Sequence, residues 1–143
     1  MSVSNSDLEG AAARLFPQPE MIIDEATQRA CVNRKYYITY HCLLSIIEEH
    51  FPSYDMSNEG MFGNTGSHNR VYLVFDDIYK NTKCKNAQRL SIKFTNFLSK
   101  RHKADYALNE DFSEFDYKQA LKFAIDIPEL ADNIAEVQKQ KAI

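Results

Sequence analysis

The chain has 143 residues, of which 44% are hydrophobic and 26% are charged, enough apolar material for one hydrophobic core but too little length for two. We therefore expect a single domain over residues 1–143. The formal net charge of −3 excludes a generally basic surface, so any contact with nucleic acid must come from a local patch.

The three cysteines, Cys31, Cys42 and Cys84, include no C-x-x-C pair and no His-rich spacing. This is typical of thiols that are buried as small apolar side chains in a reducing compartment, and we expect no metal and no cofactor. The acidic N-terminus lacks the features of a signal peptide, and no apolar run approaches the roughly 20 residues that span a bilayer. These features favour a cytoplasmic protein that is not bound to a membrane.

The first stretch of the chain predicts a short helix that is set apart from the rest. Ser6 and Asp7 can cap this helix, which ends before the segment Phe16–Pro19 because each proline disfavours a helical residue before it. We interpret residues 1–19 as a lid helix and linker, and residues of about 20–138 as the core of the domain.

A long helix and a long loop follow the lid. A spacing of three to four residues predicts one long helix, or two helices meeting end to end, through Ile22, Ala26, Ala30, Asn33, Tyr37, His41, Leu44 and Ile47 or Glu48. Residues 51–66 hold all but one of the glycines and show almost no periodicity, so they predict a loop. This loop is either a flexible connection or a segment that folds over a site.

Three further helices complete a predicted all-α bundle of about five helices. Ser67 can cap a helix whose apolar stretch also alternates like a strand, but no partner strand is found elsewhere in the sequence. Asn86 can cap the next helix. Ser113 and Asp116 form a capping-box-like start for the last helix, which Pro128 is expected to kink or interrupt. Such helices pack by fitting ridges into grooves.

The most unusual stretch lies in the long helix, where Arg34, Tyr37 and His41 project from one face. This stripe cannot be buried dry, because an unpartnered buried polar group costs about 1–3 kcal/mol. Arginine binds phosphate through paired hydrogen bonds and histidine transfers protons near neutral pH. Together they are the minimal equipment for cleaving RNA through its 2′-hydroxyl without metal. A structural hydrogen-bond network is an equally good explanation.

A second cluster repeats the same residue types about sixty residues later, in Arg101, His102, Asp105 and Tyr106. Asp105 follows Arg101 by four residues, which allows an ion pair within one helix. Alternatively, Asp105 is buried against Arg34 and orients it. His68, near the start of a helix, is a further candidate, although a helix N-terminus disfavours a protonated imidazole.

On these residues the chain resembles the HEPN family of all-α domains. The resemblance is to the branch with R-x-Y-Y-x-x-[YF]-H in the first long helix and R-x-x-A-D-Y in a later one, here Arg34 to His41 and Arg101 to Tyr106. The G-S-H-N-R segment is similar to the Ser-His or Thr-His start that precedes the family's middle helix. The order and spacing agree over residues of about 26–135.

The resemblance implies a small helical bundle that dimerises, with the polar residues of two subunits facing each other. Many relatives are metal-independent ribonucleases of toxin–antitoxin, CRISPR-associated or phage-defence systems, and others bind nucleotides or RNA. Catalytic relatives carry a histidine four to six residues after the later arginine, whereas here His102 follows Arg101 directly. If the protein cleaves RNA, we expect Arg34 and Arg101 to hold phosphate, His41 to act as acid or base, and a second group to bind the ligand or orient these residues: Tyr37, His68, His102, Asp105 and Tyr106.

These expectations leave two leading functions. The first is a homodimer that binds RNA or a nucleotide, with or without metal-independent endoribonuclease activity. The second is a non-catalytic accessory subunit that uses the same stripe to dimerise or to dock a nucleotidyltransferase or another partner. A third is a target of nucleotidylation, with Tyr106 or Tyr37 as the acceptor.

Overall fold

The computed structural model describes residues 24–141, which form four long helices and no strand. We number them α1 (Glu25–His50), α2 (Ser67–Thr82), α3 (Lys85–Tyr106) and α4 (Glu114–Lys141), with one 3-10 turn at Gly63–Thr65. The predicted all-α bundle is confirmed with four helices. The predicted lid helix and linker, residues 1–19, lie outside the described residues. None of the four helices is long and apolar enough to cross a membrane.

Helix α1 is one uninterrupted helix of 26 residues, which settles the choice between one helix and two. It begins after Asp24, whose side-chain Oδ1 accepts a hydrogen bond of 2.7 Å from the backbone N–H of Thr27. An aspartate at this position accepts a hydrogen bond from a backbone N–H that has no partner within the helix. Its negative charge also interacts favourably with the positive end of the helix dipole. Sequence and structure therefore agree on the helix that carries the stripe.

The hydrophobic core lies where α4 packs along both α1 and α3, while α2 packs mainly against α3. Burying each large apolar side chain contributes about 1.5–3 kcal/mol, so this core holds the helices together. Its largest fully buried members come from all four helices: Tyr36, Leu43, Ile47, Phe75, Leu90, Phe94, Phe97, Tyr117 and Ile127. Tyr36 is the member that also reaches the candidate site.

Two predicted helix caps are wrong. Gly66, not Ser67, occupies the cap position of α2, and its φ of +83° is a conformation that favours glycine. Cys84, not Asn86, precedes α3, because Lys83 in the left-handed conformation ends α2 and leaves only a short connection. Neither cap position supplies a side-chain hydrogen bond. Backbone conformation therefore decides where these helices begin.

The predicted capping box at the start of α4 is confirmed. The backbone N–H of Asp116 donates to Ser113 Oγ (3.0 Å), and the backbone N–H of Ser113 donates to Asp116 Oδ2 (3.1 Å). The same carboxylate accepts hydrogen bonds from Lys100 (2.5 Å) and Lys103 (2.9 Å), which joins α3 to α4. Burial raises the pKa of Asp116, but these hydrogen bonds outweigh burial and hold the pKa well below its usual range. Helix α4 runs through Pro128, so the predicted interruption is not found.

The long loop between α1 and α2 is held by Arg70, a buried residue of α2. Its guanidinium donates to the backbone oxygens of Met56 (2.8 Å) and Gly63 (3.1 Å) and to the side-chain oxygen of Asn58. Tyr54 adds a hydrogen bond of 2.6 Å to Asp77, also on α2. The loop is therefore fastened to α2 by these contacts, and neither residue on α2 belongs to the candidate site.

Arg29 on α1 holds the end of α3, and the carbonyl oxygens that it binds there lie more than 70 positions further along the chain. Its Nη1 donates to the backbone oxygens of Lys103 (3.0 Å), Ala104 (3.1 Å) and Ala107 (3.3 Å). The last carbonyls of a helix have no partner within it, and here a guanidinium satisfies them. Glu25 completes the arrangement, with its Oε1 3.0 Å from Arg29 Nη2.

We expect Arg29→Ala to lower the free energy of unfolding by about 2–3 kcal/mol, because hydrogen bonds to a charged group contribute about that much and the carbonyls would lose their donor. Urea unfolding measures the difference. Arg89→Ala is the matched control, since Arg89 is exposed and should change stability by no more than about 0.5 kcal/mol. Equal unfolding midpoints for the two variants would contradict this role.

Candidate functional site

Arg101 on α3 is the centre of the polar cluster between α1 and α3. Its Nε donates to Asn33 Oδ1 (3.3 Å) and lies 3.1 Å from Asp105 Oδ2, while its Nη2 donates to the hydroxyl of Tyr37 (3.0 Å). Arg101 is only 6% exposed. A buried charge requires a counter-charge and hydrogen bonds, and this cluster supplies both.

Three tyrosine rings surround the same guanidinium. Its Cζ lies 5.4 Å from the ring centroid of Tyr36, 5.2 Å from that of Tyr37 and 5.5 Å from that of Tyr106. Cations are attracted to the faces of aromatic rings by about 0.5–2 kcal/mol per contact. The polar and aromatic residues of the two sequence clusters therefore meet around the guanidinium of Arg101.

Tyr36 connects this centre to His68 at the start of α2. Tyr36 is fully buried, and its hydroxyl lies 2.8 Å from His68 Nδ1. Burial raises the pKa of Tyr36, so its hydroxyl keeps its proton. Burial also lowers the pKa of His68, and the nearby charge of Arg101 lowers it further. His68 is thus a neutral, oriented imidazole near pH 7.

Two further histidines, His41 and His102, are exposed and lie against tyrosines of the same cluster. The ring of His41 is 6.4 Å from that of Tyr37 and 5.3 Å from that of Tyr40. Tyr40 in turn lies 4.5 Å from His68, so one ring contacts two imidazoles. His102 packs against Tyr106, with ring centroids 5.4 Å apart.

An open groove of ≈ 700 Å³ runs along α1 beside the end of α3. Arg34 lines this groove, and its guanidinium has no hydrogen bond or ion pair with any other residue between positions 24 and 141. The full lining is Ala26, Arg29, Ala30, Asn33, Arg34, Tyr37, Ala104, Asp105 and Leu108. The groove thus borders the Arg101 cluster and offers one uncommitted cation.

The described structure brings the sequence-predicted residues to one region, in two neighbouring parts. Arg34, Tyr37 and Asp105 line the groove. The rings of His41 and His68 lie against Tyr37 and Tyr40, and the ring of His102 lies against Tyr106. Asp105 pairs with Arg101 and not with Arg34, which answers the question that its spacing left open. The sequence prediction missed Asn33 as a site residue, although it precedes Tyr37 by four positions and so shares its helix face.

Between residues 24 and 141 there is no group of three or more histidines, cysteines and carboxylates that could hold a metal ion. Cys31 is buried, and Cys42 and Cys84 are partly buried. The polar cluster around Arg101 consists of guanidinium, imidazole, phenol, amide and carboxylate groups.

No family model, no curated protein and no solved structure matches this chain. The resemblance to the HEPN family therefore stays a prediction that rests on the two motifs and on the G-S-H-N-R segment. The geometry of the described residues is the other basis for assigning a function.

We expect His68 to make stability depend on pH. Because the pKa of His68 is lower in the folded chain than the ordinary 6.5, the unfolded chain binds more protons as the pH falls below 6.5. Stability is then present above that pH and is lost as the pH falls through the folded pKa. Urea unfolding between pH 8 and pH 5 should show a steeper loss in the wild type than in His68→Gln.

His50→Gln is the control for this titration, since His50 ends α1 and pairs with Glu49 away from the cluster. It should keep the dependence of the wild type. A His68→Gln variant that also kept it would show that burial of this imidazole does not affect the equilibrium.

Proposed function

We propose that this protein binds RNA, or a nucleotide, through phosphate in the groove between α1 and α3. The observation that carries the proposal is the uncommitted guanidinium of Arg34, which lines an open groove beside Tyr37. Arginine binds phosphate oxygens with paired, charge-assisted hydrogen bonds. A ligand of this kind would give Arg34 the partner that the chain itself does not supply between residues 24 and 141.

The charges at the groove support an anionic ligand. Two guanidinium groups, those of Arg29 and Arg34, line the groove against one carboxylate, that of Asp105. Arg29 is paired with Glu25, and Asp105 is paired with Arg101, so the excess positive charge at the groove is that of Arg34. A chain with a net charge of −3 thus carries a local positive site, as nucleic-acid contact requires here.

Exposed tyrosines support a nucleic-acid ligand over a bare anion. Tyr37 is 37% exposed and Tyr106 is 66% exposed, and both pack on the Arg101 guanidinium. Stacking of a base on an aromatic ring contributes about 1–3 kcal/mol and tolerates any base. A phosphate contact with adjacent stacking surfaces is typical of proteins that bind single-stranded RNA.

The histidines support an extension of the proposal to metal-independent cleavage. His41 is the exposed acid–base candidate, and His68 is a neutral imidazole from another helix that contacts the same tyrosines. Cleavage through the 2′-hydroxyl needs one group to take a proton and one to give a proton. Two imidazoles in different surroundings meet that need.

We further propose that the protein acts as a homodimer, as the family resemblance implies. Leu108 is 70% exposed and Tyr106 is 66% exposed at the end of α3 next to the groove, where a second copy could cover them. The setting that the resemblance implies is a phage-defence or toxin–antitoxin system, and the cysteine usage favours the cytoplasm.

The same exposed apolar residues favour a second candidate function, that of a non-catalytic accessory subunit. Here Tyr106 and Leu108 would dock a nucleotidyltransferase or another protein, and Arg101 would serve only to hold the surface in shape. This function differs from the first in one measurable respect, since it predicts no affinity for RNA or nucleotides.

We expect wild-type protein to bind a fluorescein-labelled single-stranded RNA of about 12 nucleotides, with an affinity that falls as salt rises. Arg34→Ala should weaken binding about tenfold, equal to about 1.4 kcal/mol. Fluorescence anisotropy measures this. Arg89→Ala removes an exposed arginine at the other end of α3 and is the matched control. Equal affinities for all three proteins would contradict a role for Arg34, and no binding at all would favour the accessory subunit.

We expect the wild type to cleave the same RNA in the presence of EDTA, and His41→Ala and His68→Ala to lower the rate at least a hundredfold, in line with the usual contribution of acid–base groups. Gel analysis of the products measures the rate, and circular dichroism checks that the fold is kept. His50→Ala is the matched control. Binding without cleavage in the wild type would limit the function to binding.

A further inference from the structure

Arg101 fixes how two neighbouring side chains present their hydrogen-bonding groups. A guanidinium only donates hydrogen bonds, so the atoms that it contacts must accept them. It contacts Asn33 Oδ1 at 3.3 Å and the Tyr37 hydroxyl oxygen at 3.0 Å. The identity of the amide oxygen of Asn33 thus follows from the chemistry of its partner.

What remains of both side chains is a donor. With its oxygen engaged by Arg101, Asn33 has its –NH₂ group left for a ligand, and the Tyr37 hydroxyl, having accepted one hydrogen bond, has its own proton to donate. Both residues line the groove, one helical turn apart on α1. Arg34 lies between them in sequence and lines the same groove with donors alone.

The side of the groove that α3 forms carries a hydrogen-bond acceptor instead of donors. Asp105 on α3 lines the groove with a carboxylate that is 20% exposed and pairs with Arg101. A carboxylate accepts hydrogen bonds and repels an anion. The donors on α1 and the acceptor on α3 therefore favour an anionic oxygen group on the α1 side only.

We propose that Asn33, Arg34 and Tyr37 form a phosphate subsite, and that Arg101 is a positioning residue which makes Asn33 and Tyr37 hydrogen-bond donors. This rests on the proposed function and deepens it, because it states which atoms meet the phosphate. Arg101 itself, buried and already paired, does not contact the ligand. The role differs from the phosphate binding that we expect for Arg101 from the sequence.

Asn33→Asp tests the subsite with almost no change of shape. The new carboxylate still accepts from Arg101, so urea unfolding should show a stability equal to or above that of the wild type. The –NH₂ donor is replaced by an acceptor with a negative charge, so affinity for the labelled RNA should fall at least tenfold. Asn133→Asp adds the same charge at an exposed position on α4 and should bind as the wild type does.

A second set of variants tests the positioning role. If Arg101 acts through Asn33 and Tyr37, Arg101→Gln should weaken RNA binding in the wild type but not in the Asn33→Ala, Tyr37→Phe background. The measurement uses low salt, where weak binding is detectable. A further loss in that background would mean that Arg101 meets the phosphate itself, and would overturn the positioning role.

Inorganic phosphate is the probe that separates this inference from the proposed function. Phosphate should shift the side-chain amide resonances of Asn33 in ¹⁵N NMR spectra. Phosphate binding with no binding of RNA or of a nucleotide would refute the proposed function and leave the subsite in place. RNA binding that is unchanged in Asn33→Asp would refute the subsite and leave the function in place. Binding of neither probe would refute both.

Discussion

The buried guanidinium of Arg101 is the interaction on which the polar part of this bundle depends. A charge in the interior is tolerated only with a counter-charge, hydrogen bonds or aromatic faces around it, and Asp105, Asn33 and the tyrosines supply all three. The two polar-aromatic clusters are therefore one unit. A structural network and a binding site are not alternatives here, because the network that neutralises Arg101 also forms one side of the groove.

The chain uses two further buried arginines to satisfy backbone oxygens at a helix end and in a loop. Arg29 satisfies carbonyls at the end of α3, and Arg70 fastens the loop between α1 and α2. Guanidinium suits both tasks, since its fixed fork of donors reaches several carbonyl oxygens at once. The Nε of Arg70 is the one buried side-chain polar atom without a partner among residues 24–141, so the second arrangement is less fully satisfied than the first.

The features that could be predicted from the sequence are those that depend on residues only a few positions apart. The shared face of Arg34, Tyr37 and His41 and the Ser113–Asp116 capping box are fixed within one or two helical turns, and both are found in the structure. The partners of Arg29 are backbone oxygens 74 to 81 residues away, and a backbone oxygen has no residue type to recognise. The wrong caps have a similar cause, because a positive φ at Gly66 and Lys83 decided where the helices begin and end. The catalytic and binding roles of the site residues stay predictions.

In α3 no histidine follows Arg101 by four to six residues, but in the folded chain another helix places an imidazole near this arginine. His102 follows Arg101 directly, and since adjacent residues differ by about 100° around a helix, one is buried and the other exposed. A motif within one helix is only one way to place an imidazole near a guanidinium. Here His68 comes from α2. Its Nδ1 lies beside the hydroxyl of the buried Tyr36, and the charge of Arg101 lowers its pKa. Proton transfer requires this proximity and orientation, not a particular spacing, so the departure from the family pattern in α3 does not by itself exclude cleavage.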